Sequence, residues 1–220
     1  MVVMKQTATW CGSCPNAAGI VEELITEFGN QIVPLAVHSS TSDPMFPNCG
    51  SSFRSDRSSS YFPSFFITED RLSASLSNTR NAILDKLSEP VVAAVAIKSS
   101  FEGDSILVET KTAFYETLDG SYYLSIYVTE DSIDGGNNSG AYNQSGAGEF
   151  FHQHVLRTTS VPNSFWGEEL VQNPSNSDLI ERNFKIGLDP SWVQSKLKIS
   201  AVLWKKDVNA ANTYTFVNAI

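Results

Sequence analysis

The chain has 220 residues, of which 41% are hydrophobic and 18% charged, and it carries a formal net charge of −9 at pH 7. That is enough apolar content for one or two packed cores. It excludes a nucleic-acid binder, because phosphate contacts draw on clustered Lys and Arg, and here 15 basic residues are scattered among 24 acidic ones. Three cysteines, all in the first quarter, exclude a disulfide scaffold, and no run of about 18 apolar residues offers a membrane-spanning helix.

The opening "MVVMKQTATW" lacks the charged, apolar and small-residue regions of a secretory signal, so an exported protein would carry its leader on a segment beyond this sequence. The abundance of Ser, Asn, Thr and Gly over charged residues suits export. "VVMKQTA" predicts a short buried strand, and "PNAAGIVEELITEFG" a helix with Ala17, Ile20, Val21, Leu24, Ile25 and Phe28 at helical spacing, Pro15 in its first turn and Gly29 as its stop. "QIVPLAVHS" predicts a second strand, in which Pro34 favours an edge or a bulge. After a polar loop, "SYFPSFFITE" predicts a third strand introduced by Pro63, and "RLSASLSNTRNAILDKLSE" an amphipathic helix. This order implies an α/β layer with parallel pairing at its start.

From Pro90 onward the pattern turns to strands: "VVAAVAI", "SILVETKTAFYET", "SYYLSIYVTED", "FFHQHVLRTTSV", "RNFKIGL", "LKISAVLWKK" and "TYTFVNAI", divided by turn signals such as Leu118-Asp119-Gly120-Ser121. They predict an antiparallel sandwich over 90–220 following an α/β unit over 1–89. The run "DGGNNSGAYNQSGAGE" within it is expected as an exposed loop.

Cys11-x-x-Cys14, placed between a strand and a helix start, is the chemical signal of the chain. Helix N-terminal amides and the helix dipole favour the thiolate of Cys11, while Cys14 is near enough to resolve a mixed disulfide. The alternative is a permanent local disulfide. A zinc site of Cys11, Cys14, Cys49 and His38 would need a second knuckle of closely spaced ligands, which is missing, and Cys49 otherwise reads as an incidental thiol.

His152 and His154, two apart on a strand, would project from one face as a metal-binding pair, yet no third ligand is evident and ordinary polar strand residues are the simpler reading; Arg157 should face the other way. Trp166 and Trp192 read as core or interface residues. The tract Asp131 to Asn143 could offer calcium its oxygens but lacks a fixed loop spacing. No phosphate loop or serine nucleophile elbow is present, and neither metal nor cofactor is expected.

"TATWCGSCP" at a strand-to-helix junction, with Pro63 before "SFFIT" roughly fifty residues later, resembles the thioredoxin superfamily. The resemblance implies a cis peptide bond at Pro63, a docking groove shaped by Trp10 and Pro63, and a Phe62 backbone that pairs with a client peptide. Thioredoxins carry a buried acid six positions before the first cysteine, and here that position is Lys5, which would either favour the thiolate or point outward.

"WCGSCPNAAGIVEEL", "VPLAVHSS", "FHQHVLRT" and "WVQSKLKISAVLWKKDVNAANTYTFVNAI" look like the outer-membrane protein twenty-eight family of Bacteroidetes-type bacteria. That resemblance implies an α/β thioredoxin-like N-terminal domain plus an all-β immunoglobulin-like sandwich C-terminal domain. It also implies export to the cell envelope, at the outer membrane or in the periplasm, as a lipoprotein held to the membrane by a lipid anchor beyond this sequence. Asp104-Ser105-Ile106 and Asp131-Ser132-Ile133 resemble the O-glycosylation signal of such envelopes. The partners implied are protein thiol or disulfide clients, or an envelope redox partner. The competing expectation is a non-catalytic surface lipoprotein with binding or structural roles.

Overall fold

The structure, a computed structural model, describes residues 1–57, 59–67, 69–136, 142–207, 209 and 213–220. Its first elements are β1 (Val2–Thr7), α1 (Cys14–Phe28), β2 (Val33–His38), α2 (Gly50–Asp56), β3 (Ser64–Phe66), β4 (Arg71–Ser73) and α3 (Leu76–Leu87). Strands follow: β5 (Ala93–Glu102), β6 (Ser105–Phe114), β7 (Ser121–Glu130), β8 (Ile133–Asp134), β9 (Phe151–His152), β10 (Val155–Thr159), β11 (Glu168–Gln172), β12 (Leu179–Gly187), β13 (Leu197–Lys206) and β14 (Tyr214–Ala219). The fold is mostly β, with a mixed sheet and few helices.

Every residue of β1 is buried, because it is a central strand: β2 runs parallel on one side and β3 antiparallel on the other. Helix α1 starts with Pro15 in its first turn, ends at Gly29 with φ 52°, and buries Cys14, Ala17, Val21, Leu24 and Phe28, the stripe that a 3.6-residue period brings to one face. Pro34 sits where β2 has β1 alone as a ladder neighbour. Two residues on, the Ala36 amide donates to the His154 carbonyl at 2.8 Å and Ala36 pairs with Val155 of β10.

That pairing carries the sheet past Glu89-Pro90. Its order is β14-β13-β7-β10-β2-β1-β3-β4, with β11 also on β7, so strands from both halves of the chain form one nine-stranded layer. A second sheet, β12-β6-β5, packs on one face of β7 and β13 through Val95, Ile106, Val108, Phe114, Leu124, Ile126, Phe184 and Leu203. The opposite face of the same two strands presents Tyr127, Val202 and Trp204 to a core shared with Val3, Leu24, Phe53, Phe65 and Phe66. Alternation along a strand puts successive side chains into different cores.

Four local features depart from the sequence expectation. Helix α2 has only Phe53 as a large apolar residue, so it carries no periodic signal; that ring packs 5.8 Å from Phe66 and 4.9 Å from Phe165, wedging the helix between the two halves. The helix expected over 71–89 begins at Leu76, because Ser75 caps its amide end and residues 71–73 pair with β3 instead. Strand β11 was not expected. The strand expected over 150–161 breaks at His154, which has φ 56° and whose amide donates to Asp131 at 2.8 Å.

Candidate functional site

Strand β1 delivers the chain to the cysteine loop. Its last residue, Thr7, is followed by a turn in which the Cys11 amide donates to Ala8 O at 3.2 Å and the Cys14 amide to Cys11 O at 3.1 Å. Cys11 and Cys14 form a disulfide with Cα atoms 5.4 Å apart. Helix α1 begins at Cys14, its N-cap Ser13 makes no side-chain capping bond, and no acid occupies its first turn. The positive end of the helix is therefore offset by no side-chain oxygen or carboxylate of its own, which favours negative charge on a sulfur there. Ser13 Oγ lies 3.7 Å from Cys11 Sγ.

The Phe62-Pro63 bond is cis. It immediately precedes β3, whose Ser64 pairs with Gln6 of β1, and so it lies beside the dithiol loop. The turn is held by Gln6 Nε2 donating to Ser59 O at 3.1 Å and by Ser64 Oγ donating to Tyr61 O at 2.8 Å. Phe62 packs against Ala8, Cys11 and Cys14, and its ring is 5.1 Å from Trp10. The structure thus brings Trp10, Cys11, Cys14, Phe62 and Pro63 together. Trp10 is 51% exposed, whereas Cys11 is 5% and Cys14 1% exposed.

Beneath the loop lies a buried polar cluster that motif reading did not find. Asp43 Oδ2 accepts from the Thr9 amide at 2.6 Å and the Thr9 hydroxyl at 3.0 Å; Oδ1 accepts from the Met45 amide at 2.9 Å and faces His38 Nδ1 at 3.1 Å. Burial by itself would push the Asp43 carboxyl up, but the bonds from His38, Thr9 and Met45 outweigh it and bring it down to about 2. Burial pushes the His38 imidazole down against the pull of Asp43. His152 packs edge-on to His38 at 5.4 Å and donates from Nε2 to Tyr142 O at 2.8 Å; burial pushes it down to about 4.

A second contribution comes from the glycine- and asparagine-rich run. Residues 137–141 of that run, and with them part of the candidate calcium tract, lie outside the described residues. Gln144, expected on an exposed loop, is 2% exposed. Its Nε2 donates to Cys11 O at 2.9 Å and Thr9 O at 3.0 Å, with Ala8 O at 3.4 Å. No local signal in "GAYNQSGAG" separates this glutamine from its neighbours. Of the calcium tract's carboxylates, Asp131 is already engaged by His154 and Lys198.

Other expectations fall differently. Lys5 does not point outward: it is 7% exposed, and burial, with Glu22 as the opposing charge, takes its ammonium down to about 8. The zinc set is not assembled, since Cys49 is in the aromatic core with Phe53 and burial pushes its thiol up to about 12; among the described residues no group of three or more His, Cys, Asp or Glu is placed to hold a metal. His152 and His154 part company at the strand break, the first toward His38 and the second toward Glu22 and Asp131. Ser105 is buried with its hydroxyl on Asp104. Trp166 is buried and stacked on Tyr214 at 4.7 Å, under the guanidinium of Arg57.

A cleft of about 600 Å³ is lined by Phe46, Tyr142, Arg157, Lys185, Asp189 and Trp192 among others, and by neither cysteine of the disulfide. Among the described residues no helix is long and apolar enough to cross a membrane.

No family model matches the sequence, and no curated protein matches it. Among solved structures, HBP35 of Porphyromonas gingivalis superposes on 100% of this chain and 73% of its own, with a TM-score of 0.80 and 20% identity. A domain of the outer membrane lipoprotein Omp28 from Porphyromonas gingivalis overlaps 58% of this chain and 96% of its own at 20% identity; its TM-score of 0.34 is too low to bear on the fold. Across its whole length the chain has the fold of HBP35, a Bacteroidetes protein, in keeping with the Omp28-type resemblance in its sequence.

Proposed function

We propose that this chain is an exported envelope protein of the Omp28 type in which a thioredoxin-like unit, residues 1–89, carries out thiol-disulfide exchange and an immunoglobulin-like sandwich, residues 90–220, supports it. The observation that carries the reading is the Cys11–Cys14 disulfide at the amino end of α1, beside cis Phe62-Pro63 and an exposed Trp10. The clients are protein thiols or disulfides, or an envelope redox partner, and a lipid anchor holds the protein to the membrane. Fold alone does not imply its customary chemistry, so the site residues carry the argument.

In the reducing direction, the Cys11 thiolate attacks one sulfur of a client disulfide. A bond forms between them as the client S–S bond breaks, and the departing client thiolate takes a proton from solvent. Cys14, as thiolate, then attacks Cys11 Sγ, forms the disulfide seen here and releases the second client thiolate. The client gains two electrons and the pair loses two. The helix N-terminus lowers the energy of the Cys11 thiolate, while Trp10, Phe62 and Pro63 shape the surface on which the client peptide lies.

The burial of both sulfurs favours a second reading, in which the pair is a structural disulfide on a binding or scaffold protein. Equilibration in graded thiol buffers with trapping of free thiols separates the two. A reversible couple between about −270 and −120 mV lies among exchange catalysts, and a pair still oxidised below roughly −300 mV is structural. Under the exchange reading Cys11→Ser abolishes reduction of insulin; an unchanged rate would sink it.

A further inference from the structure

The disulfide loop is held by a part of the chain far from it in sequence. Gln144 lies between β8 and β9, 133 residues beyond Cys11. Its side-chain amide faces the carbonyls of Cys11, Thr9 and Ala8 at 2.9, 3.0 and 3.4 Å. The next residue repeats the attachment, with the Ser145 amide donating to Thr9 O at 2.8 Å. Gly146 then closes on Gly12 so tightly that a Cβ there would stand 2.5 Å from the Gly12 carbonyl oxygen, and its φ of +77° disfavours any side chain. Three consecutive residues thus fit onto the backbone of 8–12.

Each carbonyl oxygen in that loop is the negative end of a dipole beside Cys11. In the disulfide the sulfur is neutral; in the reduced pair Cys11 carries negative charge as thiolate. Donors that engage these oxygens lower the negative potential at the sulfur and so favour the reduced state, the more so because a buried site screens little. We infer that Gln144 is a positioning residue for Cys11, through which the β-rich half of the chain sets the exchange equilibrium of the cysteine pair. The inference rests on the reading of Cys11 and Cys14 as a reversible couple.

The experiment uses the full chain in mixtures of reduced and oxidised dithiothreitol. One thiolate of the reagent attacks a sulfur of the pair, its second thiolate closes the reagent's ring, and two electrons and two protons pass to the protein. Wild type is compared with Gln144→Met, which keeps the length of the side chain and removes both donors, and with Gly146→Ala, which pushes the strap away from Gly12; circular dichroism checks folding. Each variant should shift the equilibrium constant three- to tenfold toward the disulfide, about 15–30 mV at about 30 mV per tenfold. A folded Gln144→Met within twofold of wild type overturns the inference, and if that variant does not fold, Gly146→Ala decides by the same criterion. Loss of folding in both would make Gln144 purely structural and also overturn it. A wild-type pair that never exchanges defeats the underlying reading, and the wild-type titration alone reveals it.

Discussion

Asp43→Asn tests the polar cluster under the dithiol loop most directly. The Asp43 carboxylate is buried and receives bonds from Thr9 N–H, Thr9 O–H, Met45 N–H and His38. Its native pKa of about 2, against 3.8 when free, corresponds to roughly 2 kcal/mol at about 1.36 kcal/mol per pH unit. A depressed carboxylate contributes above its free value and loses that contribution as the pH falls through its native one, so the stabilisation is complete above about pH 4 and gone near pH 2. Asparagine keeps the shape but turns an NH2 toward one of the donors, leaving a buried group unsatisfied at a further cost of about 1 kcal/mol or more. The expected loss at pH 7 is therefore about 3 kcal/mol, read as a fall in urea midpoint at unchanged m-value, and the gap between the two proteins should narrow as the pH approaches 3. A loss below about 1 kcal/mol at pH 7, or a gap of equal size at both pH values, would refute the assignment of Asp43 as an ionised, multiply bonded anchor for Thr9.

Two further outcomes rest on other residues. His152 is held neutral with a native value of about 4 against 6.5 when free. The unfolded chain therefore binds a proton first, and wild-type stability should drop by up to about 3 kcal/mol as the pH falls from 6.5 to 4; His152→Gln, which keeps a donor for Tyr142 O, should flatten that part of the profile, and a parallel profile would count against the buried imidazole. Gly167 has φ +79° and its added Cβ would fall inside the Leu124 carbonyl, so Gly167→Ala should destabilise by more than about 3 kcal/mol or prevent folding, and a melting temperature within a few degrees of wild type would show that β7 can shift there.

Within the first half, what the chain's own neighbours specify was legible. The stripe from Ala17 to Phe28 bounded by Pro15 and Gly29 gave α1, and the cysteine spacing placed the pair at its start. Because a helix period, a proline and a glycine act over a few residues, such signals survive whatever the tertiary context. Pro63 and Phe62 were placed near the pair through resemblance, and β3 pairing with β1 is the reason they are there. Helix α2 was not legible, since seven residues with one phenylalanine carry no period, and Phe53 becomes informative only against Phe66 and Phe165. The single-strand reading of 150–161 failed because the Asp131 carboxylate captures the His154 amide, a partner 23 residues away that no local pattern reports.

The sequence by itself determined the dithiol, the helix behind it and the strand-rich character of the second half. Tertiary structure alone decided that β10 joins β2, so that one sheet unites the halves, and that Asp43 and Gln144 converge on the backbone of Thr9 and Cys11. Both residues are short polar side chains in loops. Their role comes from which carbonyls and amides the fold leaves buried beside them, and a buried polar group finds its partner through space, without regard to distance along the chain.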